Sequence, residues 1–109
     1  MNRKTALVVE DNEMLREILK QKLQEMNLQV VAVASADEAQ HCILNQDRFA
    51  VVLLDLKTPG PITGLDLIEW TRNLTNIKAK TRFIVMTGFY SLFDINRANK
   101  LDVIDFLVK

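Results

Sequence analysis

At 109 residues and 12.5 kDa the chain is one domain, long enough to bury a sizeable core. Fourteen basic residues balance fourteen acidic ones, so no overall field draws it to nucleic acid or to an anionic membrane, and direct nucleic-acid binding is not expected of this domain. No apolar stretch approaches the roughly 20 residues of a membrane span, and Met1 is followed closely by Leu7-Val8-Val9 rather than by a secretory leader, so a cytoplasmic protein is expected.

In chain order, the first apolar run, Ala6 to Val9, reads as a buried strand and ends in Glu10-Asp11. Asn12 can cap the helix that follows, whose Leu15, Ile18, Leu19, Leu23 and Met26 have amphipathic spacing. Asn27 can end that helix in a left-handed conformation before a second strand, Leu28 to Val33. Ser35 and Glu38 have capping-box spacing and open a second helix with Ala39, Cys42 and Ile43 inward. Cys42 is the only cysteine, so an intrachain disulfide is impossible; beside His41 it falls short of a zinc ligand set and reads as a small buried hydrophobe.

A third strand, Ala50 to Leu54, closes on Asp55. Pro59-Gly60-Pro61 then breaks the chain into a loop, and Gly64 leads into a third helix with Leu67, Ile68, Thr71 and Leu74 facing in and Trp70 off the stripe. Phe83 to Met86 is a fourth strand ending in Thr87-Gly88. Ser91 to Lys100 is a fourth helix, the weakest on propensity because of Asn96 and Asn99, and Val103 to Val108 is a last strand ending in Lys109. Strand and helix in strict alternation mean a parallel sheet with helices on both faces.

In such a sheet ligands bind beyond the carboxyl ends of the strands, and Glu10, Asp11, Asp55, Thr87 and Lys109 all fall there. Converging carboxylates repel each other and invite a divalent cation; oxygen-only ligands favour magnesium, which commonly binds phosphate as well. Lys109 would face that site as a second cation, and the Thr87 hydroxyl is a hydrogen-bond donor. This is the outline of a phosphoryl site. With no Ser-His pair and no glycine-rich cradle, the fitting nucleophile is a carboxylate, which forms an acyl phosphate.

Glu10-Asp11, Leu53-Leu54-Asp55 followed by Pro59, Met86-Thr87-Gly88 and Asp105-Phe106-Leu107-Val108-Lys109 occur in this order across essentially the whole chain, which thereby resembles the receiver domain of two-component response regulators. The resemblance implies a flavodoxin-like, doubly wound sheet of five parallel strands in the order 2-1-3-4-5, with the final helix of that fold missing from this chain. It implies that residues 1–109 are a receiver, the N-terminal part of a longer regulator, acting on itself rather than as an enzyme. Asp55 would accept a phosphoryl group from a phosphohistidine of a sensor histidine kinase or phosphotransfer protein. Magnesium would be held by Asp11, Asp55 and the Lys57 backbone carbonyl, with Glu10 helping through water. Lys109 would pair with the phosphoryl oxygens, and Thr87 and Phe106 would relay the change to an output domain, a downstream protein or a homodimer interface. Phe106 in place of the often seen Tyr gives up a hydroxyl that bonds outside the core. Lys57 and Phe89 stand where the family flanks the water that attacks the acyl phosphate, and a bulky Phe89 is expected to obstruct that water and lengthen the lifetime of the phosphoryl group.

Singly, these residues have plainer uses: an acid at a helix start, a turn-opening Asp before proline, a solvated terminal lysine, a core phenylalanine. Together the plainer readings need four coincidences. His41 reads as solvated, Asp37, Asp47 and Asp66 as surface charges, and Trp70 as a partly exposed helix-edge aromatic. The loop from Asp55 to Gly64 is one residue longer than the family's usual one, and Leu101-Asp102 replaces the usual helix-ending glycine. Two rivals stand beside the receiver. A haloacid-dehalogenase-like phosphatase wants an acid two residues after the nucleophile, where this chain has Lys57, and a pseudo-receiver binding module normally lacks an acid or the lysine, all present here. The last strand carries apolar residues on both faces, so a further helix beside the first, a partner or a second copy is expected to cover it.

Overall fold

The computed structural model describes residues 3–46, 48–88, 92–103 and 105–108, with the backbone alone at residues 87, 92–95 and 105–108. Five parallel strands, β1 (Thr5–Val9), β2 (Gln29–Val33), β3 (Val51–Asp55), β4 (Phe83–Thr87) and β5 (Asp105–Val108), form one sheet in the order β2-β1-β3-β4-β5. Between them run α1 (Glu13–Glu25), α2 (Ala36–Asn45), α3 (Gly64–Arg72), a short 3-10 turn at Ile77–Lys80 and α4 (Leu92–Lys100). The doubly wound α/β architecture expected from the alternation is present. Among the described residues no helix is long and apolar enough to cross a membrane.

Helix boundaries follow local chemistry. The Asn12 side chain accepts from the Leu15 amide at 2.9 Å and opens α1, while Asn27 takes the left-handed φ of 64° just beyond its end. At α2 the Ser35 hydroxyl accepts from the Glu38 amide, but the returning carboxylate bonds the Ala34 amide at 3.0 Å, one residue earlier than a capping box prescribes. The full box is at α3, where Thr63 and Asp66 satisfy each other's amides at 3.1 and 3.2 Å. Asp102, with φ of 60°, adopts after α4 the left-handed conformation that a glycine would take more cheaply.

Alternation along the strands divides the core in two. Leu7, Val9, Val52, Leu54, Phe83 and Val85 face α2 and α3, meeting Ala39, Ile43, Leu67 and Ile68, with Ala98 of α4 in the same cluster. Val8, Leu53 and Met86 face the other way and meet Leu19 and Leu23 of α1. α1 has no fully buried residue, and Ile18 and Met26 of its expected inner stripe are 47% and 69% exposed. A stripe read from spacing alone overstates burial when, among the described residues, only the sheet packs against the helix.

Further expectations need correction. The last strand begins at Asp105 rather than Val103, which precedes it and packs half-buried on the larger cluster. Leu74 lies beyond the end of α3, though it too packs on that cluster. Asp66 is a capping residue paired with Arg97, not an idle surface charge. Asp37 is half-buried, its Oδ1 lying where a Cβ on Gly60 would be 3.5 Å away. His41 is exposed and Trp70 half-buried, as read from the sequence. Asp47, Phe89, Ser91 and Lys109 lie outside the described residues, and so do the side chains of Thr87, Phe106 and the rest of β5, which leaves the covering of that strand outside them as well.

Candidate functional site

The site forms where strands run out of partners. β1 pairs β3 as far as Val9 with Leu54, so Glu10 and Asp55 follow side by side, with Asp55 still paired to Met86 of β4. Glu10 is fully buried. Its amide donates to the Val33 carbonyl of β2, and its carboxylate accepts from the Asn12 amide at 3.1 Å. Arg16, one turn into α1, reaches back and donates to the Glu10 and Asp11 carbonyls at 2.9 and 3.4 Å. The acidic pair is thus held from both directions while the Asp11 side chain stays exposed.

Asp55 is 4% exposed, at the end of β3, and its Oδ1 accepts from the Lys57 amide at 3.0 Å. That bond fixes the carboxylate and draws the following loop around it, leaving Lys57 exposed. The Leu56 amide donates to the Met86 carbonyl at 3.1 Å, tying this loop to β4. Gly64 closes the loop by close approach: a Cβ there would lie 2.9 Å from both the Asp55 carbonyl oxygen and the Leu56 Cα. A side chain at residue 64 would push α3 off the strand end.

Glu10, Asp11 and Asp55 each offer a carboxylate oxygen, and these oxygens lie within 4.8 Å of one another. A small volume with carboxylate donors and no nitrogen or sulfur among them fits a hard divalent cation of the magnesium or calcium kind. Further along the same edge, the register pairs Asp55 with Met86 and Thr87 with Val108, so the backbone of β4 ends beside that of β5. The structure thus brings together three of the acids and Lys57 read from the sequence, and puts the Thr87 backbone on the same edge. Sequence reasoning missed Arg16; its position one turn after an acidic pair was the available clue.

With this geometry, comparison with known proteins is decisive. Residues 6–109 match the response regulator receiver domain. The chain belongs to this family. Among curated relatives, the receiver is 30% identical over 109 residues to the response regulator protein PilR of Pseudomonas aeruginosa, covering all of this chain and 23% of that protein. It is 32% identical over 106 residues to the transcriptional regulatory protein CitB of Klebsiella pneumoniae, covering 96% of this chain and 44% of that one. The receiver therefore spans less than half the length of either relative. Among solved structures, a response regulator receiver protein from Pseudomonas putida superposes with a TM-score of 0.89 at 32% identity, covering 100% of this chain and 88% of that one. The non-phosphorylated HemR receiver domain of Leptospira biflexa gives 0.85 at 28% identity, covering 98% and 82%. Two-component signalling is the setting of this domain.

Proposed function

We propose that the receiver accepts a phosphoryl group on Asp55 from a phosphohistidine of a sensor histidine kinase or phosphotransfer protein, assisted by magnesium, and passes the change to an output domain or downstream protein. The observation that carries this reading is the convergence of Glu10, Asp11 and Asp55 oxygens within 4.8 Å at the carboxyl edge of the sheet. An Asp55 oxygen attacks phosphorus in line, the P–O bond forms as the P–N bond to histidine breaks, and the imidazole leaves with its electron pair. The Lys57 amide holds Oδ1 at 3.0 Å and so orients the nucleophile before the donor arrives.

Asp11, Asp55 and the Lys57 carbonyl would hold the magnesium ion, with Glu10 supporting it through water. When bound, the ion supplies positive charge against the oxygens of the transferring group. Lys109 pairs with the same oxygens, Thr87 hydrogen-bonds the phosphoryl group, and Phe106 turns into the space Thr87 vacates. The receiver modifies and unmodifies only itself, within a longer regulator whose output lies elsewhere, and so is not an enzyme in the usual sense.

Intact mass after treatment with acetyl phosphate and magnesium tests the proposal. A lasting gain of one phosphoryl unit, abolished in Asp55→Asn, is the expected result. Turnover of the reagent without lasting modification would make the chain a phosphatase, and inertness a pseudo-receiver. Labelling of Asp55→Asn at the wild-type rate would also sink the assignment.

A further inference from the structure

The neutral net charge conceals a segregation. The acids of the candidate phosphoacceptor site lie at the carboxyl ends of the strands, whereas the amino ends gather Arg3, Lys4, Arg48 and Arg82 around one groove of about 320 Å³, within the usual range for small-molecule sites. Thr5 and Ala50 complete its lining, which contains no acid among the described residues. The chain has six arginines. Arg16 is spent on the Glu10 and Asp11 carbonyls, Arg72 on four backbone carbonyls, and Arg97 on Asp66 and Glu69. The remaining three all line this groove, and among the described residues no ion pair or side-chain hydrogen bond engages them or Lys4.

The backbone holds this set in place. The Gln29 amide donates to the Lys4 carbonyl at 2.9 Å, the Ala50 amide to the Thr5 carbonyl at 2.8 Å, and the Val52 amide to the Arg82 carbonyl at 2.8 Å. Neighbouring strands β1, β3 and β4 therefore present their cations at one edge, where like charges repel. A bridging anion would turn that repulsion into attraction. Three guanidinium groups and an ammonium bring four positive charges to the groove, about twice what one phosphate neutralises. That charge suits two or three linked phosphates. Among the described residues no aromatic side chain lines the groove to stack a base.

We propose that this groove, at the opposite pole from Asp55, binds a small oligophosphate, recognised by its linked phosphates whether these are inorganic or part of a nucleoside di- or triphosphate. The test is calorimetric titration of the 109-residue chain with sodium tripolyphosphate and, separately, ATP, in EDTA and low salt so that the magnesium site takes no part. Saturable binding of both with similar affinity is expected. It should weaken about tenfold or more in Arg48→Ala and in Arg82→Ala, as the loss of a charge-assisted hydrogen bond requires. Arg82→Lys, which keeps the charge and loses the fork, should weaken it too. Asp55→Asn should leave it unchanged, which separates this proposal from the phosphoacceptor reading. Circular dichroism checks that each variant is folded, with Arg3→Ala as a further variant should either alanine variant unfold. No saturable binding at millimolar ligand would overturn the proposal, and so would binding indifferent to Arg48 and Arg82. ATP binding with tripolyphosphate inert would move recognition to the nucleoside. Binding of an oligoglutamate peptide alone would assign the groove to an acidic protein segment, and either result overturns it.

Discussion

At the scale of single residues, the site depends on a glycine whose role is spatial rather than conformational. Gly64 has no left-handed φ, yet the atoms that a Cβ would meet at 2.9 Å are the Asp55 carbonyl oxygen and the Leu56 Cα, backbone that cannot swing aside. Gly64→Ala should cost about 1–3 kcal/mol by overpacking and slow acetyl phosphate labelling, read from chemical denaturation and intact mass. Asp66 behaves differently. Its bond to the Arg97 guanidinium, and secondarily its bonds from Thr63, hold its carboxyl below the usual range. A carboxyl lowered on folding adds stability that is present above its unfolded value and lost as pH falls through the folded one. Both partners are substantially exposed, at 30% and 45%, so the contribution is expected to stay below about 1 kcal/mol and to shrink with salt. Asp66→Asn keeps a cap acceptor and removes the charge. Its deficit in melting temperature should be visible at neutral pH and shrink as the pH is lowered below the ordinary carboxyl range, and a deficit that does not change with pH would refute the electrostatic origin.

At the scale of elements, Arg72 does more joining than any other described side chain. From the end of α3 it donates to the Ala79 and Thr81 carbonyls at 2.9 and 2.6 Å, ahead of β4, and to the Leu101 and Asp102 carbonyls at 2.9 and 3.2 Å, ahead of β5. Its guanidinium also lies over the Phe83 ring, 5.3 Å from the centroid. Burial lowers its pKa, but an arginine remains charged at any working pH. Removing it strands several carbonyls at once, two of them just past the end of α4. Arg72→Ala should cost about 2–4 kcal/mol in urea denaturation, and Arg72→Lys should recover little, because one ammonium cannot span the same fork. The proposed switch through Thr87 and Phe106 is an element-scale prediction as well. A Phe106 rotamer identical in the apo and phosphoryl-mimic-bound forms would remove it, and Phe89→Ala should shorten the lifetime of the acyl phosphate.

At the scale of the whole molecule, protection should follow strand order. β1 and β3 are paired on both edges, and Ala6, Leu7, Val8, Val9, Val52 and Leu54 have no exposure, whereas β2 lies at an edge and its residues are at best half-buried. Amide hydrogen exchange should be slowest in β1 and β3 and faster in β2, reporting local opening rather than global unfolding; uniform exchange across the sheet would contradict this. The two faces are unequal as well. Helices α2, α3 and α4 share the larger cluster, and among the described helices α1 supplies the side chains of the smaller one, with Met14 75% exposed on it.

Patterns with a short period were legible without a structure. Four apolar runs closing on Glu10, Asp55, Thr87 and Lys109, together with caps at Asn12, Ser35 and Asn27, carried the alternation, the parallel sheet and the acids on one edge, because hydrophobic period and capping are local chemistry. Contacts made across long separations in sequence were not. That Asp66 faces Arg97, that Arg72 bonds carbonyls about 30 residues away, and that Gly64 lies against Asp55 depend on how α3 is set on the sheet. The same holds for the basic groove: Arg3, Arg48 and Arg82 are scattered singly along the sequence, and only in-register pairing of parallel strands brings them to one place. The sequence by itself determined which residues carry charge and which turn away from water; the tertiary structure decided which of those charges meet, because that depends on strand order and register and not on the chain's local preferences.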